Sequence, residues 1–268
     1  MKFIGLGRVG RALIRNAKPS FHRFKKFLSH RQIYMKAPYS LDVYEQLLAL
    51  IRESHQDQLC DFDNVNKSKG KRKWYVRHDL DESDCISRAS ELIRLDLKYG
   101  VRPGVFLRVK SDVYNLDDAN ALMAEFLDEG VVFGLHSECY LSDDWLSSLR
   151  EEIEVYKTTF NTTPFAVNAH GHGEYRLNIR QQFYRGLTSE LLNQLGIKLN
   201  DCGVGNRLYQ YTIEDCHRPF TSSPLNKIEP YGRCILTDFK ILPPPDYVSQ
   251  GLILTHPCYW ITGNNRFD

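Results

Sequence analysis

The chain has 268 residues, 42% hydrophobic and 25% charged, the composition of an ordinary soluble globular protein large enough to bury a real core. Disorder, a collagen-like repeat and a coiled coil are excluded as its main theme, and the length fits just under two average domains or one α/β barrel. A net charge of +2 hides an uneven distribution: residues 1–36 hold ten Lys or Arg and no acid, leaving 25 basic against 33 acidic residues elsewhere.

A basic arm on an acidic body suits an anionic neighbour, phospholipid headgroups or phosphate, or is a plain solvated tail. Peripheral membrane contact through this arm is one expectation. Nucleic acid is not expected as a partner, because no recognised motif or aromatic-basic platform accompanies the charge. Gly5, Gly7 and Gly10 have the G-x-G-x-x-G spacing of a dinucleotide-binding turn, but only Phe3 and Ile4 remain for the strand before it. The first acid, Asp42, also lies too far along for the fingerprint. A mitochondrial-type targeting peptide has no support downstream. Arg8, Arg11 and Arg15 interrupt what a signal peptide needs as an unbroken apolar run, and no stretch of 18 apolar residues occurs, so neither a secretory signal nor a membrane span is expected. Seven cysteines, an odd number and never spaced C-x-x-C, suit a reducing, cytoplasmic compartment.

After the arm, Ser40 stands as a helix cap, followed at helical spacing by Leu41, Tyr44, Leu47, Leu48 and Ile51. The polar stretch from Ser54 to Lys73 reads as a surface loop. WYVRH at 74–78 reads as a strand, with Ser83 capping a helix that carries Ile86, Ala89, Leu92, Ile93 and Leu97 to a stop at Gly100. GVFLRV at 104–109 is a second strand, Leu116 to Glu129 a helix stopped by Gly130, and VVFGL at 131–135 a third strand. A helix over Ser142 to Phe160 sets Trp145, Leu149, Ile153 and Tyr156 on one face, and FAV at 165–167 is a fourth strand. Beyond it, Thr188 to Leu195 reads as helical, Ile197 to Leu199 and Cys234 to Leu236 as extended, and GLILT at 251–255 as an apolar strand. Alternating apolar strands and helices predict a parallel sheet covered by helices.

Four of these strands run at once into acid or imidazole side chains. WYVRH leads to Asp79 and Asp81, VVFGL to His136, FAV to Asn168, His170 and His172, and GLILT to His256. In parallel α/β folds the C-terminal strand ends build the active site, so these residues converge on one mouth. Singly, each has a structural explanation: helix caps for the two aspartates, a loop histidine for His256. Jointly, carboxylates and imidazoles are the ligand types that hold zinc or a similar divalent ion with positions left open. Asp79 and Asp81, two apart in extended backbone, point the same way, one for a metal and one free as a base.

RHDLDES, GLHSE, NAHGHG and LTHPCYW, in that order from about Trp74 to Trp260, resemble the polysaccharide deacetylase family (carbohydrate esterase family 4), in a branch with an H-D-x-D first motif. The resemblance implies a distorted (β/α) TIM-like barrel, here of seven strands over residues 37–268, and metal-dependent hydrolysis of the N-acyl amide of an amino sugar. It carries the base role to Asp79, metal ligation to Asp81 and His136, and the general acid to His256. It implies a substrate met in polysaccharide or surface-glycan biosynthesis, nucleotide-linked or lipid-linked.

Three departures stand beside it. Leu80 separates aspartates that are usually adjacent, leaving their base and ligand roles open to exchange. Tyr140 occupies the place of the usual second histidine, so the third ligand comes from elsewhere: His170 by preference, with His172 and Glu138 behind it. The arginine expected near the third motif is absent from TTPFAVNAHGHG. The alternative these departures motivate is a catalytically degenerate, sugar-binding pseudoenzyme of the same fold. Tyr259 and Trp260 either stack on a sugar ring or pack.

Overall fold

A computed structural model of the chain describes residues 39–65, 71–110, 114–171, 177–201, 209, 211–215, 233–235 and 249–261. The basic arm with its glycine segment, and His172, lie outside the described residues. Strand β1 (Tyr39–Ser40) leads into helix α1 (Leu41–Glu53), and β2 (Asp57–Leu59) precedes the long strand β3 (Arg72–Leu80). There follow α2 (Ser83–Lys98), β4 (Gly104–Leu107), α3 (Leu116–Phe126), β5 (Val132–Ser137), α4 (Trp145–Phe160) and β6 (Ala166–Ala169). The last third holds α5 (Leu177–Gly186), α6 (Ser189–Leu195), β7 (Leu199–Asn200), β8 (Tyr211–Glu214), β9 (Arg233–Ile235), β10 (Gln250–Thr255) and β11 (Trp260–Ile261).

Nine of these strands form one sheet in the order β7-β6-β5-β4-β3-β10-β8-β9, with β2 alongside the start of β3, and every pairing is parallel. Tyr75, Phe106, Ala166, Leu199, Leu252 and Leu254 come from five different strands yet pack in one cluster with Phe62. A flat sheet cannot bring such distant strands together; this one curls into a half-barrel, and those side chains fill its concave face. On the convex face Leu80, Val105, Leu107, Phe133, Leu135 and Val167 lie beneath α2, α3 and α4, while α1 covers Trp74, Val76 and Ile253 with Tyr44, Leu47, Leu48 and Ile51. Among the described residues nine strands pair in this sheet, against the seven expected. The difference lies in short strands, β2 above all, that carry no long apolar run.

The stretch Ser54 to Lys73 is also not the plain surface loop that its polarity predicts. Asp57 fastens β2 to β3 by accepting from Arg72 and from the Trp74 indole N–H (2.8 Å), and Phe62 is fully buried against Phe106. Other boundaries follow the sequence closely. Gly100 and Gly130 end their helical stretches with φ of 77° and 81°, a left-handed conformation open to glycine at little cost. The α2 cap position is Glu82, not Ser83, and α4 starts at Trp145, where the Asp144 carboxylate accepts from the Ser147 N–H. Helix α5 had no clear signal in the sequence.

Alternation along each strand decides what enters the half-barrel. On β3 the odd residues Tyr75, Arg77 and Asp79 face inward, whereas His78 turns outward beneath α1 and α2, bonded to Thr255 Oγ1 and Asp96 Oδ2 at 2.6 Å each. The inner face is therefore apolar toward the strand starts and polar toward their C-terminal ends. Gly134 keeps the apolar layer compact, since a Cβ there would fall 2.6 Å from the Phe106 ring.

Candidate functional site

Asp79, Asp81, His136, His170 and His256 meet at the C-terminal mouth of the sheet, as their strand-end positions predict. Asp81 Oδ1 lies 3.1 Å from His136 Nε2, and Asp81 Oδ2 lies 3.4 Å from His170 Nε2 and 3.7 Å from His256 Nε2. One ligand atom from each of Asp81, His136 and His170 lies within 4.8 Å of the others, so the three form a group able to hold a metal ion.

The tautomers sharpen this. His136 Nδ1 is 2.5 Å from Asn168 Oδ1, while Asn168 Nδ2 donates to Asp79 Oδ1 at 3.3 Å. The amide orientation is thereby fixed: its oxygen accepts from His136 Nδ1–H, which turns the Nε2 lone pair toward Asp81 Oδ1. That oxygen is buried and accepts no hydrogen bond. Two electron-rich atoms 3.1 Å apart need a cation between them, a proton or a metal. Ligands at about 2.0–2.2 Å around a tetrahedral zinc stand roughly 3.3 Å from each other, close to the separations found. His170 is prepared in the same way, its Nδ1 donating to Glu138 Oε1 at 2.9 Å with Nε2 toward Asp81. The donor set fits a divalent ion of the zinc type. His170 thus joins the triad and Glu138 stands behind it.

Burial works against ionisation of Asp81, yet the surrounding imidazoles hold its carboxyl well below the usual range. Burial likewise opposes a charge on His170, but Asp81 and Glu138 outweigh it and raise the ring to about 9 in the metal-free site. A metal would have to displace that proton.

Asp79 stands beside the triad, its Oδ2 3.9 Å from His136 Nε2. Arg77 donates to Asp79 Oδ2 and to Asp201 Oδ2 at 2.7 Å each. Burial disfavours the Asp79 carboxylate, but the guanidinium beside it keeps its pKa below the ordinary value. The arginine absent from the third motif is thus matched by one inside the first. His256 also borders the triad through Asp81, and its Nδ1 lies 2.7 Å from Asp215 Oδ1. Asp215 Oδ2 accepts from the His256 backbone N–H (2.6 Å) and the Trp260 indole N–H (2.7 Å). Burial opposes the imidazolium, yet Asp215 and then Asp81 raise His256 well above the ordinary histidine value.

Trp260 is fully buried, edge-on to Tyr44, and packs where a sugar-stacking role would need exposure. Tyr259, partly buried, sits with its ring 5.6 Å from that of His256. Tyr140, in the place of the missing histidine, is buried and donates its OH to the His170 carbonyl at 2.6 Å.

Arg77, Arg108, Asp201 and Asp215 were not singled out from the sequence. Arg77 was within reach, since a residue two before Asp79 on one strand shares its face. Asp215 also obeys the strand-end pattern, but its strand, YTIE, is short and mixed. Among the described residues no helix is long and apolar enough to cross a membrane. Compared with models of known protein families, with curated proteins and with solved structures, the chain finds no match.

Proposed function

We propose that this protein is a metal-dependent hydrolase of the polysaccharide deacetylase type, with a distorted (β/α) barrel, that removes the N-acyl group of an amino sugar. The observation that carries the reading is the company of groups at one mouth: a buried carboxylate held by arginine, a metal-type triad, and an imidazole held by a buried aspartate beside it. Hydrolysis of an amide needs a base for water and an acid for the departing amine, both within reach of a polarising centre.

Asp81, His136 and His170 would hold the ion, zinc foremost. A bound ion of this kind supplies a water that ionises near neutral pH and polarises the acyl carbonyl. Asp79 is the group available to accept the proton of the attacking water; Arg77 and Asn168 fix its two oxygens, so Asp79 is the base and Asp81 the ligand. The low pKa of Asp79 makes it a weak base but one ionised throughout the neutral range. His256, protonated and aimed by Asp215, delivers a proton to the amine as the C–N bond breaks.

Arg77 and His170 offer the arginine and the further ligand that the third and second motifs lack, which favours the enzyme over the pseudoenzyme alternative. The amino-sugar substrate and its nucleotide or lipid carrier rest on the resemblance, and a cytoplasmic setting on the cysteine pattern. The test is turnover of N-acetylated sugars by zinc-loaded protein, with elemental analysis alongside. One ion per chain, lost in His136→Ala, with turnover falling about 10²–10⁴-fold in Asp79→Asn and His256→Ala, is expected. Turnover unchanged in both variants, or no ion bound after reconstitution, overturns the reading.

A further inference from the structure

We propose that Arg108 is a positioning residue for the metal triad, acting through Glu138 on His170; this rests on the metal-site reading above. Arg108 leaves the end of β4 and is buried, with Nη1 donating to the Asp81 carbonyl at 2.7 Å and Nη2 to Glu138 Oε1 at 3.0 Å. The same Glu138 oxygen accepts from His170 Nδ1. One guanidinium therefore joins the ends of β3 and β5 and reaches His170, after β6, through Glu138, and both of its acceptors belong to the triad's own support.

A buried arginine on a carbonyl and a carboxylate is usually a packing device. Here the carbonyl belongs to a ligand and the carboxylate orients another. With both lone-pair positions of Oε1 engaged, by Arg108 and by His170, that oxygen is withdrawn from coordination and set as the acceptor that keeps the His170 proton on Nδ1. The backbone N–H of Arg108 in turn donates to Tyr114 OH at 2.5 Å, which steadies the strand end. Because the third ligand comes from the segment after β6 and not from the turn after His136, its orientation depends on partners brought from other strands. Arg108 and Glu138 supply them.

The experiment is zinc affinity by competition with a chromophoric chelator, and the absorption spectrum of the cobalt form, for wild type, Glu138→Ala, Glu138→Gln, Arg108→Ala, the double alanine variant and Lys110→Ala. Glu138→Ala and Arg108→Ala should each weaken zinc binding about 10–100-fold and alter the cobalt spectrum. The double variant should lose no more than Glu138→Ala alone, since both act on one imidazole. Glu138→Gln, which keeps an acceptor oxygen, should fall between, and Lys110→Ala, which breaks the exposed pair with Glu151 and is no partner in the contacts among Arg108, Glu138 and His170, should match wild type. Should Arg108→Ala not fold, Arg108→Lys, with one positive charge but no planar fork, should give a smaller loss of the same kind. Wild-type affinity in Glu138→Ala and Arg108→Ala, or additive losses in the double variant, overturns the proposal while leaving the metal site standing. A wild type that binds neither zinc nor cobalt overturns the metal site itself.

Discussion

Nε2 of His136 faces Oδ1 of Asp81 at 3.1 Å while its other nitrogen is committed to Asn168, so one amide sets the tautomer of a proposed ligand and, through its NH₂ group, touches Asp79, the proposed base. Asn168→Asp separates the two roles. The new carboxylate still accepts from His136 Nδ1, so metal content should survive. Its charge beside Asp79 should raise that group's pKa and carry the acidic limb of the kcat/KM profile to higher pH. An acidic limb that does not move would count against Asp79 as the base.

Asp215 holds His256 protonated above the ordinary histidine range. A general acid works while it keeps its proton, so activity should decline on the alkaline side as His256 titrates. Asp215→Asn removes the charge that raises the ring, and the alkaline limb should slide toward about 6.5, with the largest loss of rate at high pH. A uniform loss at every pH would assign Asp215 to packing instead.

Most of this mouth was legible because acids and imidazoles at strand ends stand out against apolar strands, and a parallel sheet brings strand ends together whatever joins them. Asp79, Asp81, His136, His170 and His256 were found in that way. What escaped were residues whose role depends on a partner distant in sequence: Asp201 meets Arg77 across 124 positions, and Asp215 meets His256 across 41. Strand β2 escaped for another reason. It pairs with β3 through Asp57 and its neighbours in a polar segment, and single buried side chains such as Phe62 leave no period to read.

Arg77 lies between two buried carboxylates, and its removal leaves both without their cation. Arg77→Met should destabilise the protein by roughly 3–5 kcal/mol, the cost of breaking a buried ion pair from one side. Asp201→Asn should cost less, because Arg77 keeps Asp79. Urea unfolding of the two variants decides the order; equal losses would show that the guanidinium does not hold Asp79 independently.

Metal-free protein should be more stable in mild acid than in base, and His170 gives the sign. Its pKa, about 9 in the folded chain, exceeds the value of about 6.5 for an unfolded histidine. Its contribution is therefore fully present below pH 6.5 and is lost as pH rises through 9, a change on the order of 3 kcal/mol. His170→Gln should remove that part of the slope. A bound ion needs the neutral ring, so the stability that zinc adds over the metal-free protein should grow across the same interval as the competing proton leaves. The measurement is a set of urea midpoints at pH 6, 7.5 and 9, with chelator and with zinc, for wild type and His170→Gln. Parallel slopes in the two proteins would mean that His170 does not hold its proton between Asp81 and Glu138, and both the triad and its Glu138 support would have to be redrawn.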